Sequence, residues 1–170
     1  MLWKPADNPI PLSASEFHAQ ELPPDLLAAD PMQLFPNARD AKAALSGLLL
    51  LAGHWDLCHT TAQDIASPEG SYWHAIVHRI EPDSSNAGYW FRRVGAHPIF
   101  AALHEKAAVL LEGSNVDWRL KPSWDPHLFI TWCNEARAEP GSAKYLCAQQ
   151  IQQAECQLLL SWCAAPTSTI

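Results

Sequence analysis

The chain is short of basic residues. Its 170 residues hold 11 Lys and Arg against 18 Asp and Glu, a formal charge of −7. Neutralising phosphates takes clustered Lys and Arg, so broad nucleic-acid binding is not expected. Long apolar runs are also missing. None is longer than Leu48 to Ala52, far below the roughly 18 residues of a membrane-spanning helix. The opening Met1-Leu2-Trp3-Lys4-Pro5 lacks the charged-then-apolar order of a signal peptide, so a cytoplasmic protein is expected. No two of the five cysteines (Cys58, Cys133, Cys147, Cys156 and Cys163) stand two to four residues apart. That excludes a Cys-type zinc site and a disulfide framework, and the odd count reads as reduced thiols. Strand signals are nearly absent, with no sustained alternation and no Asn-Gly or Asp-Gly hairpin turn. GxSxG, Walker and GxGxxG patterns are missing as well.

What is present points to one helical domain. Hydrophobic residues make up 48% and charged residues 17%, a balance that supports a globular core at this length. Seven of the 14 prolines fall in the first 36 residues. Proline has no N–H and a fixed φ, so residues 1–37 read as a proline-rich arm with one helical turn near Asp25–Ala29. The arm would wrap the domain to bury Trp3, Phe17, Leu26, Leu27 and Phe35, or swap onto a second copy to make a homodimer. Residues 38–165 read as a single helical domain. Asn37 is a plausible N-cap for a helix running to Ser67. Ser67-Pro68-Glu69 starts the next helix, to about Ile80, and Glu81-Pro82-Asp83 ends it. Further helices are expected over Ala87–Val94, Pro98–Leu111, Asp125–Ala138 and Ser142–Cys163. The expected fold class is all-α, an irregular bundle of about six helices with an extended arm.

The chemistry concentrates in the middle of the chain. On a single helix from Leu45 to Ile65, the stripe of Leu45, Leu48, Leu49 and Ala52 continues into Asp56, His59, Thr60 and Gln63. A stripe that turns polar marks either an exposed helix end or a functional cleft, since buried polar groups need partners. The next helix carries His74, His78 and Glu81 on one face, beside the apolar Trp73, Ile76, Val77 and Ile80. Two imidazoles at i and i+4 can reach one metal ion, although solvated or hydrogen-bonded histidines give the same pattern. A short connection makes the two helices antiparallel neighbours, which brings His59 toward His74 and His78. With Asp56 or Glu81 as carboxylate, the set suits Zn, Fe, Mn or Ni.

Tyr89-Trp90-Phe91-Arg92-Arg93 then offers arginines for a carboxylate or phosphate, with Arg79 as a third. The same arginines could instead pair with Asp56, Glu81 or Asp83 and hold loops together. His97 is a spare ligand candidate. Glu155 is expected to be solvated, and Cys58 points about 100° away from its neighbour His59 on a helix, which speaks against a nucleophilic pair.

The stretch Gly70–Arg79, continuing through Glu81-Pro82-Asp83, Asn86-Ala87, Tyr89–Gly95 and His97-Pro98, resembles the core block of a family of uncharacterised bacterial and fungal proteins. Those proteins carry a similar S-[FY]-W-H-x-I-x-H-R-x-E-x-D … N-x-x-Y-W-[FW]-R-x-V-G-x-H-P pattern. His59-Thr60-Thr61-Ala62-Gln63 is similar to their H-x-x-[ST]-Q segment, with Ala62 where the relatives often have Ser. The resemblance covers residues 54–98 and implies that His59, Gln63, His74, His78, Arg79, Glu81, Arg92, Arg93 and His97 belong to one site. In site type, the three histidines are also similar to the DinB-like metal-binding bundles.

The leading expectation is a metal-dependent, hydrolase-like enzyme acting on a small anionic molecule. His59, His74 and His78 hold the metal, with His97 in reserve. Glu81 and Asp56 are the catalytic candidates. Arg79, Arg92, Arg93 and Gln63 bind substrate in a pocket walled by Trp73, Tyr89 and Trp90. The alternatives are a non-catalytic protein that binds a small anionic ligand, and a structural protein with a buried network of His, Arg and acids.

Overall fold

A computed structural model describes residues 9–167. Among these the chain is all-helical, with eight α-helices and no sheet. They are α1 (Pro31–Leu34), α2 (Ala41–Leu51), α3 (Trp55–Ala62), α4 (Pro68–Ile80), α5 (Ser84–Val94), α6 (Phe100–Glu112), α7 (Pro126–Arg137) and α8 (Ala143–Ala164). The two beyond the expected six are the single turn α1 and the division of the 38–67 segment. None of the described helices is long and apolar enough to cross a membrane.

Local capping chemistry sets most boundaries. Ser67 caps α4 by accepting from Gly70 N at 3.1 Å, and its hydroxyl donates to Asp40 at 2.5 Å. Asp40 in turn caps α2 through Ala43 N at 3.0 Å, so one pair of side chains ties together the starts of two helices. Asn37 is not the cap; it sits in a left-handed turn with φ 64°. Asp83 caps α5 through Asn86 N, which starts that helix at Ser84, three residues earlier than expected. Asp125 and Ser142 cap α7 and α8.

The long helix expected to reach Ser67 breaks at Ala52-Gly53-His54. Gly53 has φ 85°, and a Cβ there would lie 2.3 Å from the carbonyl oxygen of His18. The arm is pinned at this break: Gln20 N donates to Ala52 O at 2.9 Å, and the His54 ring lies 2.8 Å from Gln20 O.

The described part of the arm packs on its own chain. Ile10 and Leu12 are buried. Gln152 donates to Pro11 O at 2.8 Å, and Arg137 donates to Leu12 O at 3.0 Å. A turn does form near Asp25–Ala29, closed by Ala29 N donating to Asp25 O at 2.9 Å. Phe17, Leu26 and Phe35 pack against the core, whereas Leu27 is 57% exposed. Trp3 lies outside the described residues.

Two apolar clusters share α8. The first joins α2, α4 and α5 to its C-terminal half; the second joins α6 and α7 to its N-terminal half. Trp73 is fully buried at the centre of the first cluster and is not a pocket wall. It packs against Gly47, where an added Cβ would lie 2.3 Å from the indole. Gly47→Ala is therefore expected to lower stability by about 1–3 kcal/mol through overpacking, despite alanine's better helix propensity. Urea unfolding checks this, and a neutral or stabilising result would show that Trp73 has room to shift.

Candidate metal centre

The 63–67 link folds tightly because Gly70 has no side chain. A Cβ at that position would lie 2.4 Å from the Cβ of Ile65. Ile65 can therefore lie on the first turn of α4, and α3 packs directly against α4. This places His59 of α3 against His74 and His78 of α4. Ring centroids are 4.7 Å apart for His59–His74 and 4.9 Å for His59–His78. One nitrogen from each ring lies within 4.8 Å of the other two.

Two of the three nitrogens stand at the spacing of a ligand pair. His74 and His78 face each other Nε2 to Nε2 at 3.1 Å. Two nitrogens bound to a tetrahedral zinc ion at about 2.0–2.1 Å stand roughly 3.3 Å apart. Without a metal, one of these nitrogens donates its proton to the other's lone pair. Glu81, the C-cap of α4, spans the far sides of two rings: its carboxylate lies 3.2 Å from His59 Nδ1 and 3.1 Å from His78 Nδ1. The approach to His78 is out of line for a hydrogen bond, and the buried Nδ1 atoms of His74 and His78 lack partners. A carboxylate aligned on an outer nitrogen would fix the tautomer and aim Nε2 inward; Glu81 stands within reach of both rings without such an alignment. Trp90 covers His74 with ring centroids 4.2 Å apart, while His59 and Glu81 stay about a quarter exposed, which opens the cluster to solvent on that side.

Burial holds the inner rings neutral. Burial first, then the neighbouring His78 and His59, lowers the His74 pKa to about 4. His78 is lowered mainly by burial, with Glu81 pulling the other way. Neutral imidazole is the form that ligates metals. The same shifts set a stability window for the metal-free chain. Unfolded histidine takes up its proton near pH 6.5 and folded His74 only near 4, so stability is intact above about 6.5 and declines as pH falls toward 4. Between pH 7.5 and pH 5 the loss from His74 alone is expected to be about 2 kcal/mol. Urea unfolding at the two pH values reads it, and His74→Gln should flatten the dependence. A curve equally steep in that variant would assign the effect to other groups.

The other expected site residues divide. Tyr89 and Arg93 lie beside the cluster: Arg93 has its guanidinium carbon 5.1 Å over Trp90 and Nη1 3.5 Å from the Tyr89 hydroxyl. Asp56 on α3 and Gln63 at its C-cap are exposed, and Asp56 is not among the clustered ligand atoms. Arg92 lies back along α5, its Nη1 3.6 Å from where a Cβ on Gly88 would stand, next to His127 of α7.

Arg79 is not at the cleft. It is fully buried, ion-paired with Glu155 and bonded to Gln152 at 3.2–3.3 Å. Its guanidinium carbon is 4.5 Å over the Phe129 ring. Glu155, expected to be solvated, is fully buried and also accepts from the Tyr72 hydroxyl at 2.9 Å.

His97 is not a fourth ligand. It is buried against Tyr72, Phe100 and Trp162, its Nδ1 accepts from Ile99 N at 3.3 Å, and its Nε2 faces Glu69 at 3.7 Å. Cys58 is fully buried and its thiol pKa is raised by burial, which removes it as a nucleophile. Glu81's position between two rings and the packing of Trp90 on His74 are not apparent from spacing alone.

No protein-family model matches the chain, and no curated protein or solved structure matches it. The resemblance of residues 54–98 therefore assigns no family, and the functional reading rests on this geometry.

Proposed function

We propose that the chain is a metal-dependent enzyme of hydrolase type acting on a small anionic substrate, with His59, His74 and His78 holding one divalent ion. The observation that carries this reading is the convergence of three imidazoles from two helices, His74 and His78 standing Nε2 to Nε2 at 3.1 Å, with one carboxylate 3.1–3.2 Å from the Nδ1 atoms of His59 and His78. Three imidazoles leave a tetrahedral ion one open position, where a bound water is acidified toward neutral pH. Because Glu81 sits on the outer nitrogens, a three-imidazole set is favoured over a set of two histidines and a carboxylate, and zinc over iron. Glu81 is then a positioning residue whose negative charge lies beside the His59 and His78 rings. The five cysteines are free and buried, which accords with a cytoplasmic protein.

A purely structural role draws support from the Arg79–Glu155–Gln152 network. That network joins α4 to α8 and leaves the unpartnered His74 and His78 nitrogens unexplained. The deciding experiment is elemental analysis of untagged protein purified without chelators, followed by zinc titration. About one equivalent per chain is expected. No metal as purified, with none taken up, overturns the reading.

A further inference from the structure

The stretch from Arg79 to Arg93 holds three arginines, and they face three different surroundings. Arg79 is neutralised in the core by Glu155. Arg92 lies along Gly88 on the side where α5 meets α7. Arg93 alone stands over Trp90, the ring that packs on His74. It is exposed, and among the described residues no carboxylate lies within ion-pair distance of it. Its guanidinium carbon lies 5.1 Å over the Trp90 ring and its Nη1 lies 3.5 Å from the Tyr89 hydroxyl, which leaves Nη2 and Nε for a ligand.

We propose that Arg93 is the anion receptor of the metal centre and that the group it receives is a carboxylate; this rests on the metal reading above. The guanidinium fork matches a carboxylate bidentately. The choice over a phosphate follows from charge. An ion on the three histidines would spend its charge on the other end of the ligand, so at the fork one guanidinium balances a monoanion, and both other arginines are turned elsewhere. Glu81 and Asp83 add negative charge near His78, which further penalises a dianion. The exposed Tyr89 and half-buried Trp90 supply apolar surface for the hydrocarbon part of such a ligand. A small aryl or alkyl carboxylate would thus be anchored at Arg93, with its remaining polar group extending past Trp90 toward the histidines.

The test is calorimetric titration of benzoate and of phenyl phosphate into zinc-loaded protein, with zinc content measured on the same samples. Arg93→Gln is expected to weaken benzoate binding about tenfold or more while retaining one equivalent of zinc. Arg92→Gln is expected to change neither, and Arg93→Lys to recover part of the loss, because it keeps the charge without the fork. Benzoate binding that survives Arg93→Gln but disappears with zinc removal would place the anion on the metal, overturning the Arg93 assignment while the metal reading stands. Binding of phenyl phosphate alone would overturn the carboxylate assignment, and so would failure of both probes to bind at tens of millimolar. Failure of the wild-type chain to take up zinc is read separately and removes the metal reading itself.

Discussion

His78→Ala is expected to abolish stoichiometric metal uptake and to leave the helix content unchanged. His78 supplies one of two nitrogens only 3.1 Å apart, and without it His59 and His74 come from different helices with no carboxylate closing the set. Two imidazoles hold a divalent ion far more weakly than three in a tetrahedral arrangement. The fold should tolerate the change, because His78 lies at the rim of the core and its Nδ1 has no aligned partner to lose. Elemental analysis paired with circular dichroism reads both halves of the prediction. Glu81→Gln provides a graded comparison: removing the negative charge beside two of the rings is expected to cost about 10–100-fold in metal affinity without removing a ligand. Unchanged metal content in His78→Ala would mean that the ion sits elsewhere.

The starts of α4, α7 and α8 were legible because they are local events. A Ser or Asp cap, often followed by proline, fixes a helix start within a few residues wherever the helix goes next. The break at Gly53 was not legible in the same way. Glycine marks a possible turn, but the decision lies with the His18 carbonyl, some 35 residues away, which occupies the space a side chain would need. That break invalidates the wheel running from Leu45 to Gln63, since α2 and α3 do not share a phase. His59 nevertheless reaches α4, because the short link and Gly70 bring the helices together whatever the phase of α2. The i, i+4 spacing of His74 and His78 survives for the same local reason. Glu155 and Arg79 illustrate the opposite case. Each reads as a surface residue by type, and each is buried because the other is there, with Tyr72 and Gln152 completing the hydrogen bonding. Trp73 reads as a pocket aromatic until Gly47 opens a slot for it in the core. Pair-dependent burial of this kind is invisible to periodicity.

Glu155→Ala follows from that pairing and carries the largest expected effect on stability, about 3–5 kcal/mol. The substitution leaves Arg79 fully buried without its counter-ion. Burial presses the Arg79 pKa down, and the adjacent Glu155 charge outweighs this and keeps the guanidinium protonated. Tyr72 would also lose its acceptor. For a domain of this size, total stability is on the order of 5–15 kcal/mol, so the variant should unfold at a much lower temperature or fail to accumulate. The double variant Arg79→Met with Glu155→Leu separates the cost of a stranded charge from the worth of the pair. Apolar replacements of a buried pair are often neutral or stabilising, so the double variant should be substantially more stable than Glu155→Ala. If it is as unstable as the single variant, the network is needed to seat α4 on α8. Metal titration then carries the result to the site. Arg79 directly follows His78 on α4, so loosening this helix should weaken the histidine set. Added zinc should raise the melting temperature of the wild type, and of the double variant by a similar amount, if the metal centre and the buried pair stabilise α4 independently.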